Sequence, residues 1–112
     1  MISFSIITVV RNDKNGLLNT YNSLKSQLFT NYEWVVIDGN SSDGTKEFLQ
    51  NIESNFLNYI SESDKGIYDA MNKGITLCNN MYILFMNAGD TFYDVNTLNI
   101  VYNKLQENNV DV

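Results

Sequence analysis

The sequence predicts an α/β domain built on a mostly parallel sheet with helices on both faces. Three observations lead there. The apolar runs FSIITVV at residues 4–10 and EWVVI at 33–37 suit strands buried on both faces, and MYILFM at 81–86 suits a further strand. Segments with apolar residues at helical spacing lie between them. Turn formers cluster where the apolar runs stop. Strands alternating with helices imply a parallel sheet with right-handed crossovers.

The elements follow in order. Asn12 and Asp13 are placed to cap a helix carrying Leu17, Tyr21, Leu24 and Leu28. After the second strand, DGNSSDGT at 38–45 is a turn and helix start, with Phe48, Leu49 and Ile52 inward. Residues 57–61 read as a weaker strand, followed by the polar loop ESDKG at 62–66. Ile67, Ala70, Met71, Ile75 and Cys78 mark a third helix. Asn87-Ala88-Gly89-Asp90 ends the fourth strand, and a last helix from about Asn96 carries Leu98, Val101, Tyr102 and Leu105. Residues 110–112 look like the start of another strand, so a truncated sheet is expected. Trp34, Tyr68, Phe85 and Cys78 follow the strand and helix periodicity and read as core.

Composition narrows the function. The 112 residues fit one domain, and a hydrophobic fraction of 44% is that of a globular chain. Thirteen acids against seven bases give a net charge of -6, which argues against a nucleic-acid partner. A phosphate ligand would call for a cation. With no histidine, a His-based triad or His-ligated zinc is excluded, and the single Cys78 allows no internal disulfide and suits a reducing cytoplasm. The first residues lack the pattern of a signal peptide, and no apolar run approaches the ~20 residues of a membrane span.

In parallel sheets, ligands bind beyond the carboxyl ends of the strands. The segments expected there are residues 8–12, 38–43, 63–66 and 87–90, and three of them carry acids near the strand end.

These segments together resemble family 2 glycosyltransferases, most closely bacterial enzymes of surface-polysaccharide synthesis. The matching pieces are SIITVVRN at 5–12, VIDGNSSDGT at 36–45, SESDKGIYDAMNKGI at 61–75 and ILFMNAGD at 83–90, in the family's order and spacing. The resemblance implies a Rossmann-like GT-A fold and a hexosyl- or related transferase. It implies a nucleotide-sugar donor, commonly UDP-linked, a saccharide or lipid-linked saccharide acceptor, and Mn²⁺ or Mg²⁺. Residues 1–112 would form the nucleotide-sugar-binding N-terminal part of the transferase domain. The general base of inverting relatives lies past the acidic pair, in a second half. The expectation is therefore no transfer by this chain alone, with the catalytic residue unassigned; Asp94 and Asp111 match no motif. The expected location is the cytoplasm, with the inner membrane face reached through sequence outside the chain. An apolar face exposed by the unfinished sheet would be a place for homo-oligomer contacts.

The resemblance also distributes roles. Asp90 is the metal ligand, standing nearly alone because Gly89 occupies its partner position; its plainer reading is a turn cap. Asp38 is a base contact or an Asx turn, with Gly39 where many relatives carry a second Asp. Thr8 and Arg11 end the first strand, and the guanidinium either meets a base or phosphate or is a surface charge. Asp64 and Gly66 lie beside the base and ribose, or form an ordinary turn. Asn72 and Lys73 share a helix face with Asp69, facing the donor or forming only an exposed ion pair. A non-catalytic nucleotide-binding or assembly module of the same fold is the alternative, favoured by the two glycines. A two-component receiver domain is disfavoured, because only Asp13 follows the first strand.

Overall fold

The computed structural model describes residues 3–53 and 55–108. The strand expected at 110–112 and Asp111 lie outside them. The elements alternate strictly: β1 (Phe4–Val10), α1 (Lys14–Lys25), β2 (Tyr32–Asp38), α2 (Thr45–Gln50), β3 (Leu57–Ser61), α3 (Ile67–Leu77), β4 (Tyr82–Phe85) and α4 (Thr97–Asn108). The described strands form one sheet in the order β3-β2-β1-β4, with parallel pairing throughout. The chain steps outward from β1 to β3, then returns through α3 to the other side of β1. The order therefore reverses between β1 and β4.

Period-2 patterning explains the layers. Phe4, Ile6 and Val10 of β1 and Trp34 and Val36 of β2 face one core, with Leu17 and Leu24 of α1, Leu49 of α2 and Leu98 of α4. Ile7 of β1 and Val35 and Ile37 of β2 face a smaller core beneath Ala70 of α3. Helices thus cover both faces, as expected. Asp13 is the N-cap of α1, its carboxylate accepting the Gly16 N–H at 3.1 Å. Asn12 has a different task, described below.

Trp34 centres the larger core, fully buried and stacked on Tyr21 at 5.5 Å between ring centroids. Its indole N–H donates to the Thr8 hydroxyl at 2.9 Å. That contact explains a buried threonine inside an apolar strand: the indole nitrogen needs an acceptor where water is excluded.

The smaller core corrects part of the sequence reading. Ile67 and Ile75 are exposed, Met71 is half-buried, and the buried face of α3 is Ala70 and Gly74, with Leu77 and Cys78 packed against it. A Cβ on Gly74 would stand 2.6 Å from the Ile7 Cγ2. The helix lies so close to the sheet that only small residues fit beneath it, and its large apolar residues flank the contact. Tyr68, expected in the core, is 79% exposed on the outer side of the first turn. Phe85, likewise expected inside, is 45% exposed. It ends the edge strand, and α3 lies over β1 and β2 instead. Leu28 falls beyond the end of α1 and is exposed, its N–H bonded to the Val95 carbonyl.

Glu33, at the start of β2, fastens the amino end of the sheet. It accepts hydrogen bonds from the Ser5 hydroxyl (2.6 Å), the Asn79 backbone N–H (2.6 Å) and side chain (3.1 Å), and the Asn58 amide (3.3 Å). Burial pushes its carboxyl up, but the bonds from Ser5, Asn79 and Asn58 outweigh it and the net shift is downward.

Two outcomes are expected. Thr8→Val keeps the shape but strands the buried indole N–H, and urea denaturation should show a loss of about 1–3 kcal/mol. Glu33 titrates lower when folded, so its contribution is full above the ordinary carboxylate range and lost as the pH falls through the folded value. The stability difference between wild type and Glu33→Gln should therefore be largest near neutral pH, start to shrink as the pH falls to the ordinary carboxylate range, and vanish only below the lowered folded value.

Candidate nucleotide-sugar site at the carboxyl rim of the sheet

The loops after the parallel strands gather at one rim, and polar latches join them. Asn12 takes φ +52°, a left-handed conformation that asparagine tolerates better than most residues. Its N–H donates to the Ser41 hydroxyl at 2.7 Å and its side-chain carbonyl accepts the Ser42 N–H at 2.8 Å. The Lys14 N–H donates to Asp43 at 2.9 Å, and the same carboxylate accepts the Thr45 N–H at 3.2 Å, starting α2. Asp43 is correspondingly held below the usual carboxylate range, first by the Thr45 hydroxyl and then by the Lys14 N–H. The loops after β1 and β2 are therefore one unit.

Asp38 is the deepest group of the rim, fully buried. Its carboxylate accepts the Ser61 hydroxyl at 2.7 Å, the Ser41 N–H at 3.3 Å and the Ser41 hydroxyl. Its backbone carbonyl accepts the Glu62 N–H at 3.0 Å. It joins β2, β3 and the following loop from beneath. Thr8 is equally buried and committed to Trp34, so both residues support the rim from within.

A cleft of about 250 Å³ opens at the same rim, lined by Val9, Val10, Arg11, Asp64, Gly66, Ile67 and Ala70. It is smaller than the ~300–1,000 Å³ typical of small-molecule sites, so it suits one part of an extended ligand. Its walls are apolar and its rim carries opposite charges. Arg11 is exposed and forms no ion pair with any described residue, a free cation on a chain of net charge -6. The Asp64 Oδ1 accepts the Gly66 N–H at 3.0 Å. A Cβ on Gly39 would lie 2.9 Å from the Asp64 Oδ2 and 3.6 Å from the Arg11 Cβ and Cδ. Gly39 is thus the point where three loops meet, and glycine leaves Asp64 and Arg11 their room. Gly66 has φ +113° and ψ -177°, a region essentially reserved for glycine, and it brings bare backbone to the cleft where α3 begins.

The remaining candidates lie around this centre. Asn72 is exposed on α3. Lys73 is turned to its own neighbours, with its Nζ 3.1 Å from Glu62 Oε1 and 3.5 Å from Asp69 Oδ2. Asp90 is exposed in the turn after β4, where its Oδ2 accepts the Asn87 N–H at 2.9 Å. The turn is docked on α1: the Gly89 N–H reaches the Gly16 carbonyl (3.0 Å) and the Thr20 hydroxyl (3.1 Å), and that hydroxyl donates to the Asp90 carbonyl at 2.7 Å. Gly89 has φ +98°, which explains glycine beside Asp90 better than the loss of an acid does. Among the described residues, no three His, Cys, Asp or Glu side chains stand together as a metal cage. Asp90 nonetheless fits a cation that takes most of its ligands from phosphates and water.

Sequence reasoning missed the apolar walls Val9, Val10, Ile67 and Ala70 and the latch at Asn12. Apolar residues at a strand end look like core until a neighbouring helix is placed. Asn12 carried a visible signal, an asparagine directly after a strand, but was assigned to capping.

Comparison with known proteins identifies the family and the fold. The family described as Glycosyl transferase family 2 matches residues 5–112. An uncharacterised glycosyltransferase of Mycobacterium tuberculosis is 38% identical over 89 residues, covering 79% of this chain and 34% of the relative. A protein of Erwinia amylovora named for amylovoran biosynthesis is 26% identical over 114 residues, covering 96% of this chain and 35% of its own. Among solved structures, S. aureus TarS 1-349 in complex with UDP-GlcNAc superposes with TM-score 0.83 at 22% identity, over 95% of this chain and 32% of that one. A mannosyltransferase of Pyrobaculum calidifontis in complex with GDP-Man and Mn²⁺ superposes with TM-score 0.80 at 18% identity, over 91% and 32%. The fold is thus the GT-A type, and the chain spans about a third of these proteins' length. No described helix is long and apolar enough to cross a membrane. With the family model matched over residues 5–112, the chain belongs to glycosyl transferase family 2.

Proposed function

We propose that this chain is the donor-binding part of a glycosyltransferase that moves a sugar from a nucleotide sugar, with UDP the first candidate carrier, to a saccharide acceptor in polysaccharide synthesis. The observation that carries this reading is the rim itself: an apolar cleft flanked by a free guanidinium and a carboxylate, with an exposed aspartate in the next loop. The relatives named for amylovoran biosynthesis and solved with UDP-GlcNAc or GDP-Man support it.

In this reading Val9, Ile67 and Ala70 give the base an apolar seat. Asp64 has an oxygen free to accept an N–H from the base or a ribose hydroxyl, and the Gly66 backbone allows close approach. Arg11 meets the negative charge of the phosphates. Asn72 lies along the same helix toward the donor. Thr8 and Asp38 keep the floor in place. Asp90 would hold Mn²⁺ or Mg²⁺, which would supply Lewis-acid neutralisation of the leaving diphosphate. The chain's own residues hold the donor in one orientation, which favours in-line attack. The base that takes the acceptor proton is assigned to no described residue.

Calorimetric titration of UDP, with and without Mn²⁺, tests the reading. Binding is expected to depend on Mn²⁺ and to weaken about tenfold or more in Asp90→Asn, since charge-assisted contacts are the strong ones. The asparagine can still accept the Asn87 N–H, so the turn survives. A folded chain that binds neither UDP, CDP, GDP nor dTDP would sink the proposal.

A further inference from the structure

The loop between β3 and α3 supplies Asp64 and Gly66 to the cleft but has no apolar anchor. Glu62, Ser63, Lys65 and Gly66 are exposed, and Asp64 is half-buried. Only polar bonds hold it. The Glu62 N–H is tied to the Asp38 carbonyl, and the Gly66 N–H to Asp64. The Asn40 side-chain amide donates to the Ser63 hydroxyl at 3.4 Å, and further ties come from two side chains one turn apart on α3. The Lys73 Nζ lies 3.1 Å from Glu62 Oε1, donates to the Ser63 carbonyl at 3.1 Å and lies 3.5 Å from Asp69 Oδ2. Asp69 Oδ2 accepts the Lys65 N–H at 2.9 Å.

An ammonium has three protons, and here each has a partner in the loop or on the same helix. The side chain is only 23% exposed. Resting on the nucleotide reading above, we propose that Lys73 is a positioning residue. With Asp69 it clamps residues 62–66, so that Asp64 and the Gly66 backbone face the cleft in one arrangement, and it does not itself touch the phosphates. Electrostatics agree with the geometry. The Glu62 hydrogen bond, opposed by burial and joined by Asp69, holds the ammonium above its ordinary range. The Lys65 N–H, opposed by burial and joined by Lys73, holds Asp69 below its own.

Lys73→Met keeps the aliphatic stem and removes the charge. Amide hydrogen exchange at Lys65 and Gly66 should quicken about tenfold while β1 and β2 keep their protection. Uridine and UDP, titrated by NMR chemical shift, should lose affinity by the same factor, because the lost element is loop geometry common to both. Asp69→Ala, which removes the acceptor of the Lys65 N–H and leaves the ammonium in place, should loosen the same amides and weaken both ligands. A much larger loss for UDP than for uridine in Lys73→Met would mark a direct ammonium–phosphate contact and overturn the proposal. So would unchanged exchange at Lys65 and Gly66, or full affinity in Asp69→Ala with a loosened loop. If wild type binds neither uridine nor UDP, uridine is excluded as the carrier's nucleoside, and exchange still decides whether Lys73 clamps the loop.

Discussion

Seven residues of β1 pair in parallel with seven of β2, and helices cover both faces of that pair. The rest of the structure depends on this burial. Two strands enclosed on both faces leave almost no place for a polar side chain along their length. Thr8 is tolerated because it gives the Trp34 indole an acceptor, and Ser5 because it donates to Glu33. Polar chemistry is pushed to the two ends of the sheet, and parallel pairing puts all the carboxyl ends at one of them.

The two ends are built differently. At the amino end Glu33 gathers donors from Ser5, Asn58 and Asn79 and closes the edge. At the carboxyl end Asp38 is satisfied by Ser41 and Ser61, and a cleft between the end of β1, the loop after β3 and α3 stays open. A carboxylate buried this deeply must be hydrogen-bonded. Satisfying it fixes the loops after β2 and β3, and Asn12 and Asp43 bring in the loop after β1. Pre-organisation of this kind lowers the ordering cost of binding. The cleft is therefore a consequence of how the rim satisfies its polar groups.

Helix α3 sets the other wall. Gly74 allows it to settle within van der Waals reach of Ile7, which brings Ala70 and Ile67 against the end of β1. The same closeness explains why its apolar pattern pointed the wrong way. Large residues signal burial only where there is space for them. Ile67, Tyr68 and Ile75 lie outside because the contact admits no side chain larger than alanine. Phe85 misleads for another reason: strand periodicity names a face, and what covers that face depends on a helix elsewhere in the sequence.

The alternation of elements, the larger core, the strand side of the smaller one, the N-cap at Asp13 and the four strand-end segments of the rim were legible in the sequence. They depend on period-2 and period-3.6 patterning and on local turn chemistry, which act within a few residues. The family was legible for the same reason, since its motifs are those strand-end segments. Tertiary structure decided what those residues do. It turned Thr8 and Asp38 inward as supports, and it left Arg11 and Asp64 at the open cleft. It also closed Lys73 onto its own loop, made Asn12 a latch and put Gly89 in a conformation that favours glycine. Each of these depends on a contact across many residues of sequence, and side-chain direction at such a contact is set by the partner, which no local pattern records.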